Sequence, residues 1–67
     1  MFQIVKFHEA NGNQIKSVLC LDGEFHIEKH VDVKVGMTRK TWKTASGADR
    51  YLAERSTMAT YAKVQRI

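Results

Sequence analysis

The stretch Val5–Ile27, VKFHEANGNQIKSVLCLDGEFHI, contains two turn signals that organise the first half of the chain. Asn11-Gly12 and Asp22-Gly23 are dipeptides favoured at the centre of two-residue type I′ hairpin loops, because both central residues need a positive φ. Two such turns predict a three-stranded antiparallel meander. Opposed residue numbers then sum to 23 in the first hairpin and to 45 in the second.

This register gives the predicted sheet two different faces, and a one-residue slip would exchange them. One face is apolar and is the expected core: Val5, Phe7, Val18, Cys20, Phe25 and Ile27. The other face mixes apolar side chains with charged and histidine side chains, which predicts that another segment or a partner covers it. Its candidate interface residues are Phe2, Ile4, Leu19, Leu21 and His26.

The second half of the chain predicts one helix and one closing strand. Val31–Val35 alternates apolar and polar residues, so it either extends the third strand or starts a new one. Met37–Lys43 is expected to be a short strand or an ordered loop. Thr44 is a good N-cap for a helix over Ala45–Arg55, and Met58–Ile67 alternates again as a strand. The expected fold is α+β, in the order β-β-β-(β)-α-β, with one helix packed on an antiparallel sheet.

Length and composition predict a single domain over residues 1–67, with 43% hydrophobic and 27% charged residues, close to globular averages. The single cysteine, Cys20, excludes an intramolecular disulfide, and the N-terminus lacks the pattern of a signal peptide. We therefore expect a reducing, cytoplasmic setting. The longest apolar run, Val18–Leu21, is far shorter than a membrane helix requires, so no membrane partner is expected.

The net charge of +4 is concentrated in the second half of the chain. Residues 1–35 carry four lysines against five carboxylates, whereas residues 36–67 carry seven basic side chains against two carboxylates. An anionic partner should therefore bind the second half. The predicted basic patch consists of Arg39, Lys40, Trp42, Lys43, Arg50, Arg55, Lys63 and Arg66.

The predicted patch has two interpretations. Positive charges with an aromatic side chain are typical of nucleic-acid surfaces, where phosphates are neutralised and bases stack. The same charges could meet an acidic protein surface, with apolar side chains as the anchor. Against both interpretations, Trp42 is expected to be the largest core residue, which fills the seam between sheet and helix, and the charges around it to be ordinary solvated ones.

No residue pattern predicts catalysis, a metal or a cofactor. His8, His26 and His30 fall on the mixed face near acidic residues, but His8 and His30 would be about 9–10 Å apart across an intervening strand. Cys20 falls on the core face, where a buried thiol is inert. The chain contains no glycine-rich phosphate loop and no Ser-His-Asp order. We therefore expect a binding protein and not an enzyme.

The segment WKTASGADRYL at residues 42–52 resembles an aromatic-x-Thr-x-x-Gly-Ala-x-x-aromatic-Leu stretch found in small proteins of bacteriophages and other mobile elements. The size, basic charge and sheet-plus-helix order are similar to the layout of some anti-CRISPR proteins. The resemblance implies stoichiometric inhibition or remodelling of a nucleic-acid-handling complex in the bacterial host cell through protein contact, with DNA as a possible aid and without catalytic residues. A nucleic-acid-binding regulator using Arg39, Lys40, Trp42 and Lys43, and a structural homodimer built through the mixed face, remain as alternatives.

Overall fold

The first hairpin forms as its turn residues predict. In the computed structural model, which describes all of residues 1–67, Asn11 has a φ of 54° and Gly12 a φ of 79°, as a type I′ turn requires. The register runs from Val5 opposite Val18 to Ala10 opposite Asn13, so the predicted pairing is confirmed.

The elements are β1 (Phe2–Ala10), β2 (Asn13–Leu19), β3 (Phe25–Ile27), a 3-10 turn (Glu28–His30), α1 (Ala45–Ala53), α2 (Ser56–Ala59) and β4 (Ala62–Arg66). The strands form one four-stranded antiparallel sheet in the order β3-β2-β1-β4, which confirms the predicted α+β class. The chain ends beside its beginning, because β4 pairs with β1. None of the helices has the length and apolar character needed to cross a membrane.

The predicted register of the second hairpin is wrong by one residue. Phe25 lies opposite Leu19, not opposite Cys20. A type I′ turn would need a positive φ at both Asp22 and Gly23, but only Gly23 has one, at 84°. The carboxylate of Asp22 instead accepts a hydrogen bond from the backbone N–H of Glu24 at 2.9 Å, which closes a longer loop.

Both faces of the sheet carry a cluster of buried residues, and the composition of the faces differs from the prediction. The predicted core face keeps Val5, Val18 and Cys20, which pack with Val31 and Phe7, but it loses Phe25 and Ile27 to the opposite face. The predicted mixed face is the side that the helices cover. There Ile4, Leu19 and Ala62 are buried against Phe25, Trp42, Tyr51, Leu52, Met58 and Val64.

The connection from β3 to α1 crosses one end of the sheet without forming a further strand. Val31–Val35, predicted as a strand, consists of turns that follow the 3-10 turn, and Val35 is fully exposed. Val31 turns inward and covers the Val5 side of the sheet. The stretch over residues 37–43 is an ordered loop: Trp42 exchanges two backbone hydrogen bonds with Phe2, at 2.8 and 2.9 Å.

Helix α1 begins where its cap residue predicts. The side-chain oxygen of Thr44 accepts a hydrogen bond from the N–H of Gly47 at 3.1 Å. Small residues bring the helix close to the loop before it, since a Cβ added to Gly47 would lie 3.5 Å from the Trp42 ring. The chain then forms the unpredicted helix α2, so the last strand begins at Ala62 and not at Met58.

Candidate binding surface

The aromatic side chains of the protein are paired with cations. The chain has six aromatic residues, and each of their rings has a lysine or arginine head group within 6 Å of its centroid. Contacts of this kind contribute about 0.5–1 kcal/mol each when exposed. The cations involved are Lys6, Lys40, Arg55, Lys63 and Arg66.

Two of these cations meet on one ring and form what we call the Tyr51 cluster: Lys40, Trp42, Tyr51 and Arg55. The Lys40 ammonium lies 5.2 Å and the Arg55 guanidinium 3.6 Å from the Tyr51 ring centroid. Trp42 packs against the same ring, with centroids 5.1 Å apart. Arg55 also donates a hydrogen bond to the backbone carbonyl of Tyr51 at 3.1 Å, so its head group is held in place. The cluster thus presents two oriented positive charges on the helix side.

Two carboxylates near the opposite side of the sheet are already paired. Glu28 bridges Lys16 at 2.7 Å, and Asp22 bridges His26 at 2.8 Å. The His26 hydrogen bond is the main reason that the pKa of the Asp22 carboxyl lies below its usual value. In the Tyr51 cluster the nearest comparable contact is a long one of 4.0 Å, between Arg55 and Glu54. Lys40 therefore has no carboxylate within 4.0 Å, and Arg55 has one only at that distance.

Arg39 does not belong to a shared basic surface, which corrects its place in the predicted patch. Its guanidinium donates to Asp32 at 3.1 Å and to the side-chain oxygen of Gln3 on the far side of the sheet. The backbone N–H of Arg39, followed by its side chain, holds the pKa of the Asp32 carboxyl below its usual value. Arg39 therefore anchors the connection over residues 28–40 to the sheet.

The other predicted patch residues are spread over several surfaces. Lys63 lies 4.9 Å from the Phe7 ring, on the face opposite the Tyr51 cluster, while Arg66 lies 5.9 Å from the Phe2 ring. Lys43 and Arg50 are exposed and form no salt bridge. The patch prediction missed Tyr51, although its spacing of four residues from Arg55 on a helix was a usable signal.

The predicted interface on the second sheet face does not exist as one surface. Ile4 and Leu19 are completely buried beneath the helices, so the covering element is part of the chain itself. His26 lies on the opposite face, as a result of the changed register. Phe2 is half-buried beside Arg66, and Leu21 is exposed at the end of the sheet.

The thiol and the histidines do not converge on a reactive centre. Cys20 is fully buried, and this burial is the main cause that raises the pKa of its thiol and keeps it protonated. His8 and His26 lie on different faces of the sheet. Desolvation and the nearby ammonium groups of Lys34 and Lys29 lower the pKa of His30. No three His, Cys, Asp or Glu side chains are grouped so that they could hold a metal ion.

The Tyr51 cluster unites three predicted patch residues with one that the prediction missed. Comparison with family models, with curated proteins and with solved structures finds no match to this chain. Because a fold class by itself does not define a function, the function is argued below from this surface and its charges.

Proposed function

We propose that this chain is a non-catalytic binding protein that places its basic helix-side surface on an acidic surface of a partner protein. The Tyr51 cluster is the observation that supports this most directly. Its two cations rest on aromatic rings, and their only carboxylate contact is the 4.0 Å one between Arg55 and Glu54, so they are available to an external anion. Arg, Tyr and Trp are also the residues most often found at the energetic centre of protein interfaces.

Preorganisation makes the cluster well suited to binding. A free lysine or arginine loses rotamer entropy when a partner immobilises it, at about 0.5–1.5 kcal/mol per side chain. Arg55 is already held by the Tyr51 ring at 3.6 Å and by the Tyr51 carbonyl, so much of that entropy is lost on folding. A partner carboxylate would therefore gain a charged contact at a smaller entropic cost.

The packing of the rings favours a protein partner over stacked bases. Single-stranded nucleic acid binds aromatic platforms through ring faces that are open to a base. The Trp42 ring packs against Tyr51 and lies close to Gly47, while the Tyr51 ring carries Arg55 and Lys40. Nucleic acid would then contact mainly the cations, through its phosphates. That mode is distinguishable because its affinity falls steeply with salt.

We further propose that the partner is a nucleic-acid-handling complex of a bacterial host, and that binding inhibits it, as the anti-CRISPR layout implies. Charge limits how such an inhibitor could work. A chain of net charge +4 does not imitate nucleic acid, so the proposed inhibitor binds an acidic protein surface of the complex instead of replacing its nucleic acid. The buried, protonated Cys20 thiol supports a mode of action without a covalent step.

The test is capture of partners from a bacterial lysate on the immobilised protein, with and without nuclease and over a range of salt concentrations. We expect a defined protein to remain bound after nuclease treatment. The double variant Lys40→Gln with Arg55→Gln should retain at least about tenfold less of it, corresponding to about 1.4 kcal/mol.

The matched control is Lys29→Gln with Lys34→Gln, which removes two positive charges from the connection that follows β3. This control should retain the partner, because net charge falls equally in both double variants while the Tyr51 cluster stays intact. Equal loss in both variants would show a non-specific charge effect and refute the proposal. Recovery of nucleic acid alone would replace it with the nucleic-acid-binding alternative.

A further inference from the structure

Strand β1 is longer than the strand that covers its outer edge. The ladder between β1 and β4 runs from Phe2 opposite Arg66 to Lys6 opposite Ala62 and ends there. The last four residues of β1, Phe7–Ala10, continue beyond it in the first hairpin. Along this overhang, no strand lies on the side that β4 occupies elsewhere.

The backbone groups of Phe7 and Glu9 point to this open side. Phe2 exchanges hydrogen bonds with Trp42 on the β2 side of β1, whereas the carbonyl of Met1 accepts from Ile67 on the β4 side. Backbone groups alternate in direction along a strand, so the odd-numbered residues of β1 face β4. Phe7 and Glu9 therefore direct their N–H and C=O groups outward, as an added strand would need.

A notch of about 380 Å³ lies at the start of the overhang and is lined by Lys6, Phe7, His8 and Tyr61. One ammonium group, that of Lys6, belongs to its lining, and a second, that of Lys63, lies over the ring of the lining residue Phe7. The Lys6 ammonium lies 5.5 Å from the Tyr61 ring centroid, and the Lys63 ammonium lies 4.9 Å from the Phe7 ring centroid. Neither lysine has a carboxylate within 4.0 Å, and strand alternation places them on opposite faces of the sheet.

We propose that the partner's binding element is an extended segment that adds to the Phe7–Ala10 edge of β1, antiparallel to it, with two consecutive acidic residues at its end near Tyr61. Successive side chains of a strand point to opposite faces, so two adjacent carboxylates would reach Lys6 and Lys63 respectively. A segment of four residues spans this edge, at about 3.4 Å per residue. The inference rests on the proposed function and specifies how an acidic partner is held.

The charges along this edge also limit which segments can bind there. Glu9 lies on the same edge, so the residue of the segment that faces it should be neutral or basic. The outer strand of a second copy fits poorly, because β4 carries Lys63 and Arg66 and would place further positive charge beside Lys6. The proposal is therefore an acidic segment of a different protein.

The test uses a blocked hexapeptide of alternating valine and threonine that ends in two glutamates, and the same peptide ending in two lysines. Amide NMR shifts and hydrogen exchange report the binding edge. We expect the acidic peptide to bind at least about tenfold more tightly than the lysine peptide. Exchange at the amides of Phe7 and Glu9 should slow, while the amides of Gln14 and Lys16 on the other edge of the hairpin should not change.

Proline variants isolate the backbone contact. Glu9→Pro removes one outward N–H, and Gln14→Pro makes the same change at its cross-strand partner, whose N–H faces the opposite edge. Of the two proline variants, only Glu9→Pro should lower the affinity for the acidic peptide. The Glu9→Gln variant should bind this peptide at least as tightly as the unmodified protein does. If the proline variants unfold, amide protection in the unmodified protein still shows whether the peptide binds the Phe7 and Glu9 edge or the Gln14 edge.

Protection of the Gln14 edge, equal binding of both peptides, or shifts confined to the Tyr51 cluster would overturn strand addition. The last result would leave the proposed function in place. Undiminished lysate capture by the Lys40→Gln with Arg55→Gln variant would refute only the proposed function, so the two failures are distinguishable.

Discussion

The two leucines on either side of Cys20 should differ strongly in how much stability the protein loses when each is replaced by alanine. Leu19 is completely buried between the sheet and the helices, whereas Leu21 is 63% exposed at the end of the sheet. Replacing Leu19 by alanine leaves a cavity beneath α1. The Leu21→Ala change removes the same atoms from a side chain that is mostly in water.

The expected loss follows from the buried hydrocarbon. Leu19→Ala removes about three methyl or methylene groups, or about 2.4 kcal/mol of transfer free energy, and the cavity raises the loss to about 3–5 kcal/mol. A chain of 67 residues is expected to have a free energy of unfolding of roughly 3–10 kcal/mol. Leu19→Ala should therefore lower the melting temperature by at least about 12 °C, and Leu21→Ala should change stability by less than about 0.5 kcal/mol.

Urea unfolding followed by Trp42 fluorescence and by circular dichroism measures both variants. Trp42 is the only tryptophan and lies against Tyr51 at the seam between sheet and helix, so its emission reports directly on this contact. Comparable losses for the two leucines, or a larger loss for Leu21→Ala, would refute the arrangement in which α1 covers Leu19. A stable, folded Leu19→Asp variant would refute it as well.

Three further predictions concern the cap of α1, the Asp32 carboxylate and the Cys20 thiol. Thr44→Ala should cost about 1 kcal/mol by removing the cap of α1, and the exposed Thr41→Ala should cost little, as measured by urea unfolding. Because Arg39 lowers the folded-state pKa of Asp32, the stability that this carboxylate contributes should be complete above about pH 4 and be lost as the pH falls through the lower folded-state value. Asp32→Asn should flatten the acid limb of the stability-versus-pH curve, and an unchanged limb would contradict this assignment. Cys20 should react with iodoacetamide only through unfolding, so its labelling rate should rise with urea; rapid labelling of the folded protein would contradict its burial.

The two turn dipeptides show where local sequence is sufficient and where it is not. Asn11-Gly12 has one favourable outcome, because both residues accept a positive φ and the flanking strands continue the hairpin. Asp22-Gly23 has two, since the Asp22 side chain can also close a longer loop by accepting from Glu24. The longer loop moves Phe25 to the helix side, where it packs with Leu19. The choice between the two loops therefore goes together with the packing of Phe25 against Leu19, which the dipeptide itself does not specify.

The residues of the predicted basic patch lie on different surfaces because contacts between distant segments set the direction of each side chain. Arg39 and Lys40 are neighbours in an extended segment, so their side chains leave opposite sides of the sheet. Arg39 reaches Gln3 and Asp32, whereas Lys40 reaches the Tyr51 ring. The sequence predicts the charges, but it does not predict that this segment pairs with Cys20 and Phe2, which sets the direction of each side chain.

The sequence by itself determined the features that depend on contacts close along the chain: the first hairpin, the cap at Thr44, the helix that follows it, and the excess of positive charge in the second half. The tertiary structure alone decided which face of the sheet the helices cover, that Val31–Val35 is not a strand, and which cations share the Tyr51 ring. These features depend on contacts between segments distant in the chain, and local preferences of a fraction of a kcal/mol cannot outweigh the burial of several large side chains.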